Sequence, residues 1–216
     1  MKLIKTYCIG RAHELIVKEI YDKGYERVTS NGEKTLEIDG SCIIIDNPLT
    51  EPMISERAAF GEHFAKLYTE QILKGTKSDF DYTYHDRLFN WTASSEDIIP
   101  INQIEYIIKE LCAIKNSRRA VASLWIPTED IFKENVPCLN LLQCKIVNNR
   151  LDMDVVFRSN DKCSAFGQNA YGLVMLQKYI ADNVGIDIGR YKHICLIPHI
   201  YIERDETDIR RLIEGD

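Results

Sequence analysis

None of the seven cysteines belongs to a CxxC pair or a Cys/His array, and the number is odd. That excludes a zinc ribbon and a disulfide framework, and makes a reducing, cytoplasmic setting the simplest expectation. No run of about 18 apolar residues occurs, so no membrane-spanning helix is expected. The opening MKLIKTYCIGRAHELIVKEI is broken by charges every few residues and is no signal peptide. A net charge of −6 gives no reason to expect nucleic acid as a partner, although small basic pockets are compatible with that total. No internal repeat or low-complexity tract is found. What is present is 216 residues, 45% hydrophobic and 28% charged, which is enough for a folded chain read as one domain over 1–216.

Periodicity divides the chain. Residues 12–23 carry Leu15, Ile16, Val17, Ile20 and Tyr21 among charges, an amphipathic helix stopped by Gly24. Segments 27–30 and 33–38 flank Asn31-Gly32, a hairpin dipeptide. Residues 42–45 read as a strand, 53–73 as a helix closed by Gly75, and 78–91 as a polar, tyrosine-rich ordered loop. Ile101, Ile104, Ile107, Ile108 and Leu111 form a helical stripe. Strands follow over 120–125, 141–147 and 151–157, the last two joined by Asn148-Asn149. In the second of these, Asp152 and Asp154 alternate with apolar residues, so one face is wet or meets polar groups. Residues 170–182 make a core helix and 192–198 a strand. The class is α+β, a mixed β-sheet scaffold packed by several helices.

Several chemistry-bearing clusters stand at the ends of these elements: Ser117-Arg118-Arg119, Pro137-Cys138, Phe157-Arg158-Ser159-Asn160-Asp161, Asn169 and His199-Ile200-Tyr201. Singly, each has a bland reading. Arginines at a helix end are usually solvated, a histidine after proline is usually structural, and an asparagine early in a helix can be a cap.

Taken in order, SRRAVASLW, VPC, FRSND, Asn169 and HIY resemble the thymidylate synthase family over residues 116–205, and imply its fold. The resemblance implies a dUMP methyltransferase in which the Cys138 thiolate adds to pyrimidine C6, making C5 nucleophilic. It implies dUMP binding by Arg158 and Ser159 at the phosphate and by His199 and Tyr201 at the 3′-hydroxyl. Asn169 would read the base, since an amide can accept from N3–H and donate to O4 of uracil. Arg118 and Arg119 match a pair supplied by a partner subunit, which implies a homodimer with shared sites, a monomer remaining an alternative. Asp161 matches the carboxylate that holds the pterin ring of the one-carbon donor. Upstream, Tyr84 resembles the tyrosine associated with loss of the C5 proton. Glu62 is taken as the glutamate that orders water near O4, with Glu56 as its competitor. No metal is implied.

The resemblance has gaps. Leu139 stands for a histidine, Ile197 for an aspartate, Cys195-Leu196 for glycines, and Ala165 and Gln168 for residues facing the folate. The family's N-terminal phosphate-loop arginine and its C-terminal closing residue find no match, Arg11 being a substitute for the first without support from spacing. The nucleotide half is retained and the donor half altered, as in the short archaeal branch. The donor is therefore 5,10-methylenetetrahydrofolate or methylenetetrahydromethanopterin. Alternatives are a dUMP or dCMP hydroxymethylase, a non-catalytic nucleotide-binding relative, and a cysteine hydrolase built on Cys138 and His199.

Overall fold

The computed structural model describes residues 1–76, 82–92 and 100–214. Its strands are β1 (Lys2–Thr6), β2 (Tyr25–Val28), β3 (Lys34–Glu37), β4 (Ser41–Ile45), β5 (Val121–Ser123), β6 (Leu139–Val147), β7 (Arg150–Asp161) and β8 (Asp187–Tyr201). The helices are α1 (Ile9–Lys23), α2 (Glu62–Lys74), α3 (Tyr84–Phe89), α4 (Gln103–Ala113), α5 (Pro127–Asp130), α6 (Phe166–Val184) and α7 (Glu206–Ile213). The strands form one mixed sheet in the order β1-β4-β8-β7-β6-β5, with β3 joined to the far half of β8 and β2 to β3.

Period-two patterning decides which face is covered. Along β8, Tyr191, His193 and Cys195 are fully buried while Lys192 and Ile194 between them are half-buried. The buried face carries α6, a helix apolar over most of its circumference that packs on β7 and β8 beneath α1, α2 and α4. The other face is partly open. There Leu141, Val156, Ile194 and Cys42 lie in one register row across four strands. Beside them Asp154 accepts from Lys145 and Lys192 at 2.7 and 3.0 Å. Asp152 is buried and takes the Arg190 backbone and guanidinium, so the alternating carboxylates meet polar partners.

Strands β7 and β8 run parallel, so they need a crossover, and α6 supplies it. The β6–β7 hairpin turns through Asn148 and Asn149, both at positive φ, a conformation asparagine tolerates. The Asn31-Gly32 hairpin forms between β2 and β3.

Three expectations need correction. The helix expected over 53–73 begins only at Glu62, after Gly61. Met53, Ile54 and Ala58 are buried from an irregular segment, because Pro52 O accepts from Gly10 N and Ser55 Oγ donates to Glu14. Burial there mimics helical spacing without a helix. Within the loop expected over 78–91, residues 77–81 lie outside the described residues, and α3 forms because Thr83 Oγ1 caps Asp86 N at 3.0 Å. Ile101 pairs with Trp91 in an isolated bridge, and α4 starts at Gln103 under an Asn102 cap. Strand β8 and helix α6 also run longer than their apolar runs suggest.

His13 of α1 is buried, and its Nε2 lies 3.0 Å from the Cys163 carbonyl before α6. Burial lowers its pKa from 6.5 to about 4, so the folded protein holds it neutral, donating to that carbonyl. Unfolding frees it to bind a proton below pH 6.5. The stability it confers is complete above 6.5 and is lost as pH falls towards 4. Between pH 6.5 and 4 the wild type should therefore lose about 2–4 kcal/mol more than His13→Gln does, measured by urea unfolding at each pH.

Candidate functional site

The mouth of β6 carries Cys138 on a backbone held at three successive carbonyls, those of residues 136–138, and at the Leu139 N–H. Arg158, across the ladder on β7, donates from Nε to Pro137 O and from Nη2 to Val136 O, both at 3.0 Å. Its own N–H donates to Cys138 O at 2.9 Å. Tyr82 Oη donates to Val136 O at 3.3 Å, and Asn140 Nδ2 donates to Pro137 O at 3.1 Å. Leu139 N donates to Tyr84 Oη at 3.2 Å. Cys138 is only half-buried, and its Sγ stands 3.8 Å from Ser159 Oγ. A guanidinium has five N–H groups. Two of those on Arg158 are used on carbonyls, and one of the remaining three points at Ser159 Oγ, 3.4 Å away.

Tyr84 reaches this mouth from the first turn of α3, which is anchored by the buried Arg87–Asp130 pair at 2.7 Å. Burial raises the pKa of Tyr84 well above its ordinary value, and raises those of Tyr82 and Tyr68 as well. All three phenols keep their protons at neutral pH, and each lies close enough to Cys138 to feel a charge on it.

Asn169 stands in the first turns of α6 and is buried. Its Oδ1 accepts from Asn160 Nδ2 at 2.9 Å, and its Nδ2 donates to Tyr68 Oη at 2.8 Å. Tyr68 comes from α2, which approaches α6 closely at Gly172; a Cβ there would stand 3.0 Å from the Tyr68 ring. Beyond Asn160, Lys162 Nζ donates to Asn160 Oδ1 at 2.8 Å and lies 3.0 Å from His193 Nε2. His193 Nδ1 lies 3.1 Å from Tyr191 Oη. A continuous buried polar chain thus runs from Tyr191 to Tyr68. Burial lowers Lys162 to about 8 and His193 well below 6.5.

At the end of β7, Asp161 Oδ1 accepts from the N–H groups of Cys163 and Ser164, and Oδ2 pairs with Arg204. Arg204 also binds Asp205 and stacks 3.9 Å from the Tyr201 ring. His199 sits opposite Asp161 in the β7–β8 register, its ring 5.3 Å edge-on to Tyr201. Cys138, Arg158, Ser159, Asp161, Asn169, Tyr84, His199 and Tyr201 therefore gather around the end of β7.

Two groups lie apart from them within the one chain: the arginine pair, expected to serve a partner's site, and Glu62. Arg118 and Arg119 are exposed beyond β5, where Gln143 binds the Arg118 carbonyl. From Gln143 to Cys138 is five strand residues, about 17 Å. Arg119 pairs with Glu110, whereas the Arg118 guanidinium has no partner among the described residues. Glu62 is exposed at the start of α2 and pairs with Lys66, so the residue α2 sends to Asn169 is a phenol instead of a carboxylate. Glu56 is exposed too.

Tyr68, Tyr82, Lys162, His193 and Arg204 escaped the sequence reading. His193 did leave a signal, a polar residue on the inward parity shared with Tyr191 and Cys195. Lys162 left none, because a lysine after a strand is normally solvated. No cluster of three or more His, Cys, Asp or Glu side chains among the described residues is arranged to hold a metal.

The model of the thymidylate synthase family matches residues 58–214. A protein of Methanocaldococcus jannaschii, provisionally described as a thymidylate synthase, is 40% identical over 216 residues, covering 98% of this chain and 96% of its own. Relatives under the same provisional description come from Methanococcoides burtonii, 32% identical over 99% of this chain and 95% of its own, and Methanothermobacter marburgensis, 29% identical over 86% of each.

The geometry of the strand mouth predicts the effect of removing its clamp. Val136 O keeps Tyr82 and Pro137 O keeps Asn140 in Arg158→Ala, so neither carbonyl is wholly orphaned. The expected loss is about 1–3 kcal/mol by urea unfolding, with Arg158→Lys recovering little because an ammonium cannot fork to two carbonyls.

Proposed function

Because the chain belongs to the thymidylate synthase family, we propose that it converts dUMP to dTMP, with residues 1–216 acting as one catalytic domain. The observation that carries this reading is the placement of Cys138, Arg158 and Asn169 at one end of β7. Each is held by its own contacts, with a nucleophile, a phosphate ligand and a base reader in sequence along the site.

In this reading the Cys138 thiolate bonds to C6 of the pyrimidine and pushes electrons to O4. C5 of the resulting enolate bonds to the methylene carbon of a reduced pterin donor as the first of that carbon's two C–N bonds breaks. The C5 proton then leaves and the second donor nitrogen is expelled, giving an exocyclic methylene. Hydride from the donor's reduced ring adds to that methylene as the C6–S bond breaks, so dTMP leaves with a dihydropterin. Tyr84 is a neutral phenol, so it orders the water that takes the proton instead of acting as a phenolate. The unspent N–H groups of Arg158 and the Ser159 hydroxyl face the phosphate. His199 and Tyr201 hold the sugar. The one unused lone pair and one unused N–H on Asn169 match N3–H and O4.

Methylenetetrahydrofolate and methylenetetrahydromethanopterin both fit the reaction. Asp161, the carboxylate assigned to the pterin ring, is already paired with Arg204, so either donor must share or displace that guanidinium. The same pairing favours a second reading, hydroxymethyl transfer, in which water quenches the methylene because the donor ring is held differently. Product mass separates the two. All seven cysteines are free thiols, as a catalytic thiolate in a reducing compartment requires.

The partner is a second copy. The row Leu141, Val156, Ile194 and Cys42 offers an apolar stripe on the open face of the sheet, and Arg118 has a guanidinium to lend. Arg118 and Arg119 then serve the phosphate of the neighbouring site.

Tritium release from C5-labelled dUMP tests the chemistry, with both donors tried. Wild type should release label with at least one donor, and Cys138→Ala should be slower by about 10³-fold or more. Equal release would rule the mechanism out. Mixing Cys138→Ala with Arg118→Ala chains tests the shared site: each homodimer should be impaired, and the mixture should regain up to about a quarter of wild-type activity through one restored site per heterodimer. No gain on mixing would place each site within one chain.

A further inference from the structure

Lys162 is a fully buried lysine that no carboxylate among the described residues hydrogen-bonds; its Nζ meets Asn160 Oδ1 at 2.8 Å, His193 Nε2 at 3.0 Å and the face of Phe166 at 4.7 Å. His193 is fixed between Lys162 and Tyr191 and stacked on Phe157, with ring centroids 4.5 Å apart. Burying a charge is costly, and apolar neighbours would fill the space more cheaply. A role in the dUMP pocket would explain why a lysine stands here, and the inference rests on that reading of the site.

We propose that Lys162 is a positioning residue for base selection, its donor-only ammonium setting the direction of every hydrogen bond from Asn160 to the pyrimidine. Bond polarity passes from one side chain to the next. An ammonium has three donors and no acceptor, so the Asn160 edge that faces it must be the oxygen. Asn160 then has only its NH2 to offer Asn169, and the Asn169 edge facing it must be the oxygen as well. That leaves the Asn169 NH2 facing Tyr68, whose oxygen accepts, so the Tyr68 hydroxyl proton is free to point into the site. Each amide could be turned over without steric change, since oxygen and NH2 are nearly isosteric. The ammonium removes that freedom. Burial brings Lys162 down to about 8, which still leaves most of it charged at neutral pH.

The consequence is specificity. In this orientation Asn169 has one lone pair on its Asn160 side and one N–H on its Tyr68 side, the pattern complementary to uracil. Turned over, the same side chain is complementary to cytosine, whose N3 accepts and whose 4-amino group donates. Tyr68 adds a second donor beside O4, where negative charge develops when the thiolate adds.

The test uses the full chain and measures dUMP and dCMP binding by titration calorimetry, with thermal melting to confirm folding and deoxyribose 5-phosphate as a control lacking a base. Wild type should prefer dUMP by about 10²-fold or more. Asn160→Asp puts an acceptor-only carboxylate between Lys162 and Asn169, which forces the Asn169 amide over. It should invert the preference towards dCMP while leaving affinity for the base-free control within about threefold, an effect that mere loosening of the site does not produce. Lys162→Met, which frees the chain to turn, should shrink the wild-type ratio by about tenfold or more. Folded Asn160→Asp that keeps the wild-type preference would overturn the proposal, and it decides alone if Lys162→Met does not fold. If wild type binds neither nucleotide, or binds both equally, the reading of the site as a dUMP pocket fails instead.

Discussion

The site depends on one guanidinium. Arg158 is expected to hold a phosphate, yet two of its N–H groups are already committed to the carbonyls of Val136 and Pro137, the two residues that deliver Cys138. On the proposed reading the same side chain sets both where the nucleophile stands and where the substrate's anionic end is gripped. Distance between the two is fixed by a rigid planar group instead of by two independent loops, which is the kind of preorganisation that shortens the search for a reactive geometry.

Behind that clamp lies a polar chain in a place where hydrophobic packing would be easier. Six side chains from α2, α6, β7, β8 and the loop after β7 are joined in it. Their hydrogen bonds are satisfied mainly by one another, so no single member can change polarity without disturbing the next. Such a chain specifies orientation, and on the proposed reading its last amide meets the pyrimidine in only one way. Where the proposed donor ring would lie, Arg204 is drawn across Asp161 and Tyr201, a different balance in which a charged side chain occupies the place.

How much of this was legible in the sequence varied with the range of the interaction. Short-range signals were read well. Asn31-Gly32 and Asn148-Asn149 marked hairpins, and the stripe Ile104, Ile107 and Leu111 marked α4. Cys138, Arg158 and Asn169 could be brought to one place because their motifs lie in order, and the fold set them at one strand end. The errors arose where burial is tertiary. Met53, Ile54 and Ala58 have helical spacing but are buried by an irregular segment, and Glu62, on the helix that does reach Asn169, pairs with Lys66 at its exposed start. Only the close approach of α2 to α6 at Gly172 decides that Tyr68 is the side chain pointing inwards. Lys162 was invisible for the same reason, since its surroundings come from β8 and α6.

The link between β7 and α6 is four residues, 162–165, closed by the Asp161 carboxylate on two backbone N–H groups and by a buried ammonium. It joins a period of two to a period of 3.6. Lengthening it by one residue would turn α6 by about 100° relative to the sheet and swing Asn169 away from the strand end. Descendants of this chain can therefore exchange side chains around the pocket, but they cannot easily change the count between strand and helix. If Asn169 reads the base as proposed, substrate choice is open to drift by substitution and closed to drift by insertion or deletion.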